Sequence, residues 1–320
     1  MHIGPKPRQA IGIDVGGTKI KAGLVNQEGQ LLQTQIIPTE KEKGAEHVLK
    51  RVEQLIKELS CLTVEDIAGV GLALPGEIDI ERGYSLYCPN LKWGELEISP
   101  RLAQNTGLAV KLVNDANAAC LGEYYYGGGK GANTFLSITL GTGVGSGLIL
   151  SGRLFTGRFG SGVEAGHMII EPDGYPCACG GKGCWETLVS APALLRRTKE
   201  KMKEIPSSKL SPDDSALSPE LIFQAFREGD LLAQAVVEET IYFLALGLAN
   251  LINLFNPHKV SLGGGIAEAV EILSPSLFAQ INQRVFPTLR EKTEIYKATQ
   301  GYYGGVIGAA SLWLQNIKQI

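Results

Sequence analysis

Residues 12–32 read GIDVGGTKIKAGLVNQEGQLL, and residues 137–155 read SITLGTGVGSGLILSGRLF. Each segment runs from an apolar strand through a Gly/Thr turn into a second strand, a polar turn and a short third strand. Strand-length apolar runs cut by Gly and Asn predict an antiparallel meander. A unit that occurs twice in one chain indicates an internal duplication. The sequence therefore predicts an α/β fold built from two related domains.

Helices and further strands follow each meander. Apolar residues at helical spacing predict helices at residues 46–59, 116–126, 193–203, 219–228, 231–255, 275–285 and 303–315. Short apolar runs predict buried strands at residues 67–74, 110–113, 259–262 and 294–297. Residues 205–218, rich in Ser, Pro, Lys and Asp, predict a surface loop.

Length and charge narrow the class of protein. The chain has 320 residues, enough for two domains, with 44% hydrophobic and 20% charged residues. A net charge of −3 disfavours nucleic acid or an anionic membrane as a partner. Residues 1–9 contain no apolar run of the kind that a signal peptide needs, and we expect no membrane span. A cytoplasmic location is predicted.

Four residues have the spacing of a metal site. His167, Cys177, Cys179 and Cys184 form the pattern His-x9-Cys-x-Cys-x4-Cys, which predicts a Cys₃His structural zinc site. Glycines between Cys179 and Cys184 allow the sharp fold that such a loop needs. The alternatives are a reduced cysteine cluster packed as apolar side chains, or a disulfide pair. A zinc finger for nucleic acid is disfavoured, because no basic patch surrounds the loop.

The two Gly/Thr turns are candidate phosphate sites. A glycine turn between antiparallel strands exposes consecutive backbone N–H groups that can bind an anion. The turn residues are Gly16, Gly17, Thr18 and Lys19 in the first copy, and Gly141, Thr142 and Gly143 in the second. Neither is a Walker A motif. Asp14 suits a magnesium ion held through water, and the alternative is a carboxylate that caps its own turn.

Asn114 and Asp115 stand where a buried strand ends and a helix begins. A carboxylate at such a point is positioned by the backbone, as a general base requires. The alternative is a helix N-cap, for which Asn and Asp are preferred residue types. The spacing alone does not decide between the two.

Taken together and in order, these segments resemble the ROK family of repressors, open reading frames and sugar kinases. The motifs that carry the resemblance are Asp14-Val-Gly-Gly-Thr-Lys19, Leu74-Pro-Gly76, Asn114-Asp115, Leu140-Gly-Thr-Gly-Val-Gly-Ser-Gly147, Glu164-Ala-Gly-His167 and Cys177-x-Cys-Gly-x-x-Gly-Cys184-x-Glu186. The resemblance implies the actin-like (ribonuclease H-like) ATPase fold, with two duplicated domains around a central cleft. We predict a small domain of residues 1–117 plus a closing helix at 304–320, and a large domain of residues 118–303 with the zinc loop.

The same resemblance implies roles for individual residues. Asp115 resembles the catalytic base of the family's sugar kinases. The groups that resemble its sugar-binding residues are Gly76, Asn114, Asp115, Glu164, His167 and Glu186. The two Gly/Thr turns resemble the ATP phosphate loops, with Gly264 and Gly265 beside the adenosine. ATP, catalytic Mg²⁺ and structural Zn²⁺, held by His167 and the three cysteines, are the implied cofactors. A dimer or tetramer is the implied assembly.

Two features bear on the substrate. The family usually has Gly before the sugar-binding Glu, where this chain has Val163, which leaves the sugar preference open. Residues 186–191, ETLVSA, resemble the glucokinase subgroup, so glucose is the expected acceptor. Fructose, mannose, N-acetylglucosamine and N-acetylmannosamine remain alternatives, as do a polyphosphate donor and a non-catalytic sugar-binding regulator. A repressor is disfavoured, because only 13 residues precede Asp14.

Overall fold

The computed structural model describes residues 8–158, 160, 162–205, 208–210 and 217–317, with the backbone alone at 268–274. The chain forms two compact units. Unit 1 comprises Met1–Ser137, Gly147–Val163 and Thr299–Ile320, and unit 2 comprises Ile138–Ser146 and Glu164–Ala298. Residues 1–7 and 318–320 of the predicted small domain, and residues 206–207 and 211–216 of the predicted loop, lie outside the described residues.

A five-stranded sheet forms the centre of unit 1. Its strand order is β3-β2-β1-β4-β8. The strand β2 pairs antiparallel with β1 and β3, and β4 pairs parallel with β1 and β8. The strands are β1 Gln9–Val15, β2 Lys19–Val25, β3 Leu31–Pro38, β4 Ile67–Leu74 and β8 Val110–Asn114. The predicted meander is confirmed. Because β4 and β8 are parallel neighbours, Leu74 pairs with Asn114, and the turns that follow both strands lie at one edge.

Helices cover this sheet. The helix α1 Ala45–Ser60 buries Val48, Leu49, Val52, Leu55, Ile56 and Leu59, the apolar positions that predicted it. The C-terminal helix α9 Gly304–Leu314 packs on β1 and β4 and against α3 Asp115–Tyr126. Gly12 and Gly71 permit this approach, because a Cβ on either would collide with the α9 backbone at Val306 or Ala309.

A small three-stranded sheet and one helix of unit 1 do not appear among the predicted elements. They are β5 Glu77–Asp79, β6 Tyr84–Tyr87, β7 Leu96–Glu97 and α2 Ser99–Thr106. Strands of two to four residues are too short to show a period of two. The helix α2 has a single buried residue, Leu102, so its sequence carries no repeating apolar face.

The second five-stranded sheet has the order β11-β10-β9-β12-β13, the same pattern as the first. The strands are β9 Phe135–Leu140, β10 Val144–Leu150, β11 Arg153–Leu154, β12 Lys259–Gly263 and β13 Glu294–Lys297. The equal order supports the internal duplication. Two of the boundaries between the units fall inside strands, one in β9 and one in β10.

The units differ from the predicted domains. Unit 1 extends past residue 117 because α3 packs on α9. It also includes residues 147–163, which the prediction had placed in the large domain. Contacts distant in sequence decide these bounds, and no local pattern reports them.

Unit 2 is built around one long helix. The helix α7 Leu231–Phe255 packs against α4 Glu186–Val189, α5 Ala191–Lys201, α6 Pro219–Arg227 and α8 Val270–Arg284. Among the described helices, α7 alone is long and apolar enough to cross a membrane by length and composition. The buried share of its apolar window is 61%, and core helices meet the same criterion.

Candidate active site

The first Gly/Thr turn joins β1 to β2 and is held by Thr39. The Gly16 amide donates to the Lys19 carbonyl at 3.0 Å, which closes the turn. The Thr39 hydroxyl donates to the Gly16 carbonyl at 2.7 Å, and the Thr39 amide donates to the Thr18 carbonyl at 2.9 Å. These bonds use the carbonyl oxygens of Gly16, Thr18 and Lys19. They do not involve the amides of Gly17 and Thr18. Thr39 is fully buried, so this hold on the turn is shielded from water.

Asp14, at the end of β1, forms an ion pair across the hairpin. Its Oδ2 lies 2.6 Å from Nζ of Lys21, the residue directly opposite on β2. The Lys21 ammonium also donates to the Tyr302 carbonyl at 3.2 Å and lies 4.7 Å from the centre of the Tyr302 ring. Asp14 therefore forms its ion pair with a lysine of the opposite strand.

Asn114 caps the helix α3. Its Oδ1 accepts hydrogen bonds from the amides of Ala116 at 3.0 Å and Asn117 at 3.2 Å. Its Nδ2 donates to the Gly76 carbonyl at 3.2 Å. Gly76 has φ 89°, and a Cβ there would collide with the backbone of residues 87 and 88. The cap therefore joins the turn after β4 to the start of α3.

Because Asn114 takes the capping position, Asp115 is the first residue of α3 itself. Its Oδ1 accepts a hydrogen bond from the Ala116 amide at 2.8 Å, and the residue is partly exposed. The helix N-terminus stabilises a carboxylate in this position. Asn114 is therefore the helix cap, and Asp115 is a carboxylate held by the backbone at the start of the same helix.

In unit 2, Glu186 lies against the second Gly/Thr turn. Its Oε2 accepts a hydrogen bond from the Val144 amide at 3.0 Å, and a Cβ on Gly143 would collide with that oxygen. The Gly141 amide donates to the Gly143 carbonyl at 2.9 Å, closing this turn as Gly16 and Lys19 close the first. The predicted sugar-binding carboxylate and the second phosphate turn are thus direct neighbours.

The other predicted residues of unit 2 lie beside the same strands. Gly264 has φ 88° and packs against the backbone of Leu140, the residue before the second turn, and Gly265 is exposed next to it. The segment 164–167 packs on β10, where the Ala165 amide donates to the Ser146 hydroxyl at 3.0 Å. Glu164 and His167 are therefore held close to the turn by backbone contacts.

Val163 precedes this segment with φ 63°. This left-handed region suits glycine and is costly for a β-branched residue. The departure from the family's Gly therefore falls at a backbone position that favours Gly.

The four predicted zinc ligands come together. The ligand atoms of His167, Cys177, Cys179 and Cys184 all lie within 4.8 Å of one another. Nδ1 of His167 is 3.6 Å from Sγ of Cys177, and the Sγ atoms of Cys179 and Cys184 are also 3.6 Å apart. Ligands at about 2.3 Å from a tetrahedral ion are about 3.8 Å from each other. The cluster therefore has the size of a zinc site, and all six cysteines of the chain are free.

The environment of the thiols differs from one to the next. Burial raises the pKa of Cys184 to about 12. The Gly181 amide lowers the pKa of the exposed Cys179. Sγ of Cys177 also lies 3.8 Å from Oε1 of Glu186, so the cluster contacts the carboxylate that holds the second turn.

Sequence reasoning missed three residues of unit 1: Lys21, Thr39 and Lys41. Lys41 donates from Nζ to the Asn90 carbonyl at 2.8 Å, close to the first turn. A pairing rule would have found Lys21, since it faces Asp14 across a hairpin of known register. Thr39 and Lys41 follow β3 and carry no motif.

The chain is similar to known proteins over nearly its whole length. The ROK family matches residues 10–316. A glucokinase of Thermotoga maritima is 37% identical over 311 residues, covering 96% of this chain and 98% of the relative. The chain belongs to the ROK family.

A solved glucokinase structure and a repressor are also similar to this ROK protein. A ROK family glucokinase from Streptomyces griseus, in complex with glucose and AMPPNP, superposes with a TM-score of 0.81 at 33% identity, covering 95% of this chain and 99% of that one. This confirms the predicted actin-like ATPase fold. A xylose repressor of Caldicellulosiruptor bescii is 32% identical over 282 residues, covering 86% of this chain and 70% of the repressor.

Proposed function

We propose that this ROK protein phosphorylates a hexose with ATP, and that glucose is its acceptor. The observation that carries the proposal is Asp115, a carboxylate fixed at the start of α3 beside the Asn114–Gly76 bond. The match to glucokinases over nearly the whole chain supports the assignment of this carboxylate as the general base. Asp115 takes the proton of the attacking sugar hydroxyl, a contribution of about 10²–10⁴-fold in rate.

The remaining groups bind and orient the substrates. The groups proposed to bind sugar hydroxyls are Gly76, Asn114, Glu164, His167 and Glu186. The turns at Gly16–Lys19 and Gly141–Gly143 bind phosphate oxygens, and Gly264 and Gly265 lie at the adenosine. Phosphoryl transfer depends mostly on such positioning and on charge neutralisation.

Two metal ions belong to the proposal. Mg²⁺ neutralises charge on the phosphates when it is bound. Asp14, which is paired with Lys21, would hold this ion through water, because Mg²⁺ usually keeps several of its waters. Zn²⁺ is structural, with His167, Cys177, Cys179 and Cys184 as ligands. Through the contact of Cys177 with Glu186, the zinc loop supports the second turn.

The alternatives keep the same site. Another hexose is the second candidate, because Val163 stands beside Glu164 at a position with φ 63°. A sugar-binding regulator is the third, since a xylose repressor is among the relatives. We further propose a cytoplasmic enzyme that forms a homodimer or homotetramer and binds neither nucleic acid nor membrane, in keeping with its ATP donor and free thiols.

The test is ADP release from ATP and Mg²⁺ with glucose, fructose, mannose, N-acetylglucosamine and N-acetylmannosamine in turn. We expect the highest kcat/KM with glucose. Preference for another sugar would refute glucose and retain the kinase. No turnover with any of the five, by folded protein that binds glucose, would refute the kinase and favour the regulator.

A further inference from the structure

Lys41 places a cation at the tip of the first phosphate turn. It opens the short 3₁₀ helix Lys41–Lys43, which follows β3. Its Nζ donates to the Asn90 carbonyl at 2.8 Å and lies 3.5 Å from the point where a Cβ on Gly17 would stand. The ammonium therefore lies next to Gly17, whose amide takes no part in the bonds that close the turn.

The turn of residues 88–93 connects Lys41 to the segment that precedes Asp115. Cys88 is buried, in a turn where its amide and carbonyl both bond to Trp93. The pKa of this thiol is raised to about 11, mainly by burial; the Asp115 carboxylate also raises it, and the Leu91 amide and the Lys41 ammonium lower it. The turn that Lys41 bonds at Asn90 also packs, through residues 87 and 88, on Gly76, whose carbonyl accepts from Asn114, the residue before Asp115.

The neighbouring residues fix this position. Thr39 bonds to both sides of the turn, and Glu40 follows with φ 54°, in the left-handed region. Glu40 accepts from Nζ of Lys43 at 2.9 Å and Nη1 of Arg51 at 2.8 Å, and contacts Nε2 of His47 at 2.7 Å. A strained residue persists where its surroundings over-determine it. These three contacts hold Glu40, and Glu40 holds Lys41 at the turn.

A purely structural role for Lys41 accounts for only part of this geometry. The bond to Asn90 uses one of the three N–H donors of the ammonium. Within the described ranges Lys41 has no ion pair, whereas its neighbour Lys43 is paired with Glu40. Two donors and the full charge remain beside a turn that is built to bind an anion.

We infer that Lys41 is a phosphate-binding residue, which directs its ammonium at the terminal phosphoryl group of ATP bound beside Gly17. This inference rests on the proposed function for the identity of the nucleotide. A terminal phosphate contact distinguishes ATP from ADP, so Lys41 contributes to the preference for the substrate nucleotide over the product.

Lys41→Met tests this inference, with Lys50→Met on the exposed side of α1 as the matched control. The measurement is the Kd of Mg·AMPPNP and of Mg·ADP by titration calorimetry. We expect Lys41→Met to weaken AMPPNP by about ten-fold or more, the size of a charge-assisted hydrogen bond, and ADP by less than about two-fold. Lys41→Gln keeps a donor for the Asn90 carbonyl without the charge, and we expect the same selective loss.

Two results would overturn the inference. One is an unchanged ratio of the two Kd values in Lys41→Met, whether or not both nucleotides bind more weakly, and the other is a wild-type ratio in Lys41→Gln. Nucleotide binding is measured without sugar, so this outcome is independent of the acceptor. A wild-type protein that binds AMPPNP through Lys41 and phosphorylates no hexose would refute the proposed function and leave the inference standing.

Discussion

Val163 combines a β-branched side chain with a φ of 63°. A non-glycine residue in the left-handed region costs about 1–3 kcal/mol. Replacement by glycine removes this strain, while the greater freedom of glycine in the unfolded chain offsets about 0.5–1 kcal/mol of the gain.

We therefore expect Val163→Gly to stabilise the protein by about 1 kcal/mol, measured as a rise in the urea unfolding midpoint. Val163→Ala is the control, because it keeps a Cβ in the same backbone conformation and should gain less. A lower midpoint for Val163→Gly than for the wild type would show that the side chain of Val163 contributes more than its backbone strain costs.

The start of the C-terminal segment of unit 1 depends on one buried carboxylate of α3. Glu123 is 2% exposed, and its oxygens accept from the amides of Gly128, Thr299 and Gln300 at 3.0 Å and from the Thr299 hydroxyl at 2.9 Å. This arrangement fixes the residues that lead into α9.

We expect Glu123→Gln to destabilise the protein by about 2–3 kcal/mol in urea unfolding, because the amide nitrogen of Gln would face backbone donors and lose charge-assisted bonds. Glu28→Gln, on an exposed turn, is the control and should change little. Equal midpoints for Glu123→Gln and the control would contradict the role of this carboxylate as an anchor.

The Cys₃His cluster leads to a prediction about the metal content of the protein. Cys179→Ser should release zinc, which elemental analysis of the purified protein measures, and should lower the thermal unfolding midpoint. Because Cys179 is exposed, lost packing cannot account for such a fall. Cys61→Ser, another exposed cysteine outside the cluster, should keep both the metal and the midpoint. Wild-type protein without zinc would refute the site.

The bounds of several elements could be predicted from the sequence. The bounds of β4, α7 and β13 agree with the predictions to the residue. The helix α8 begins at Val270, five residues before the predicted start, and contains Pro275 in its interior. The small sheet β5–β7 and the hold of Thr39 on the first turn were missed, since both depend on contacts that no local pattern reports.

At the scale of the whole molecule, the repeated Gly/Thr hairpin was enough to predict the duplication, and the two sheets share one strand order. The bounds of the units were not predictable in the same way. The extension of unit 1 past residue 117 follows from the packing of α3 on α9, two helices that are distant in sequence. The Cys₃His cluster was predictable, because its ligands are close in sequence.

The proposed chemistry of the whole molecule depends on Asp115. The most direct test is the kcat for ADP release with ATP, Mg²⁺ and glucose in Asp115→Asn. The control is Asp66→Asn, an exposed residue before the N-terminal end of β4, whereas Asp115 follows the C-terminal end of the parallel strand β8. We predict a fall in kcat of about 100-fold or more for Asp115→Asn, with glucose still bound and the unfolding midpoint retained, and wild-type turnover for the control. Turnover by Asp115→Asn within about ten-fold of the wild type would contradict the assignment of Asp115 as the base.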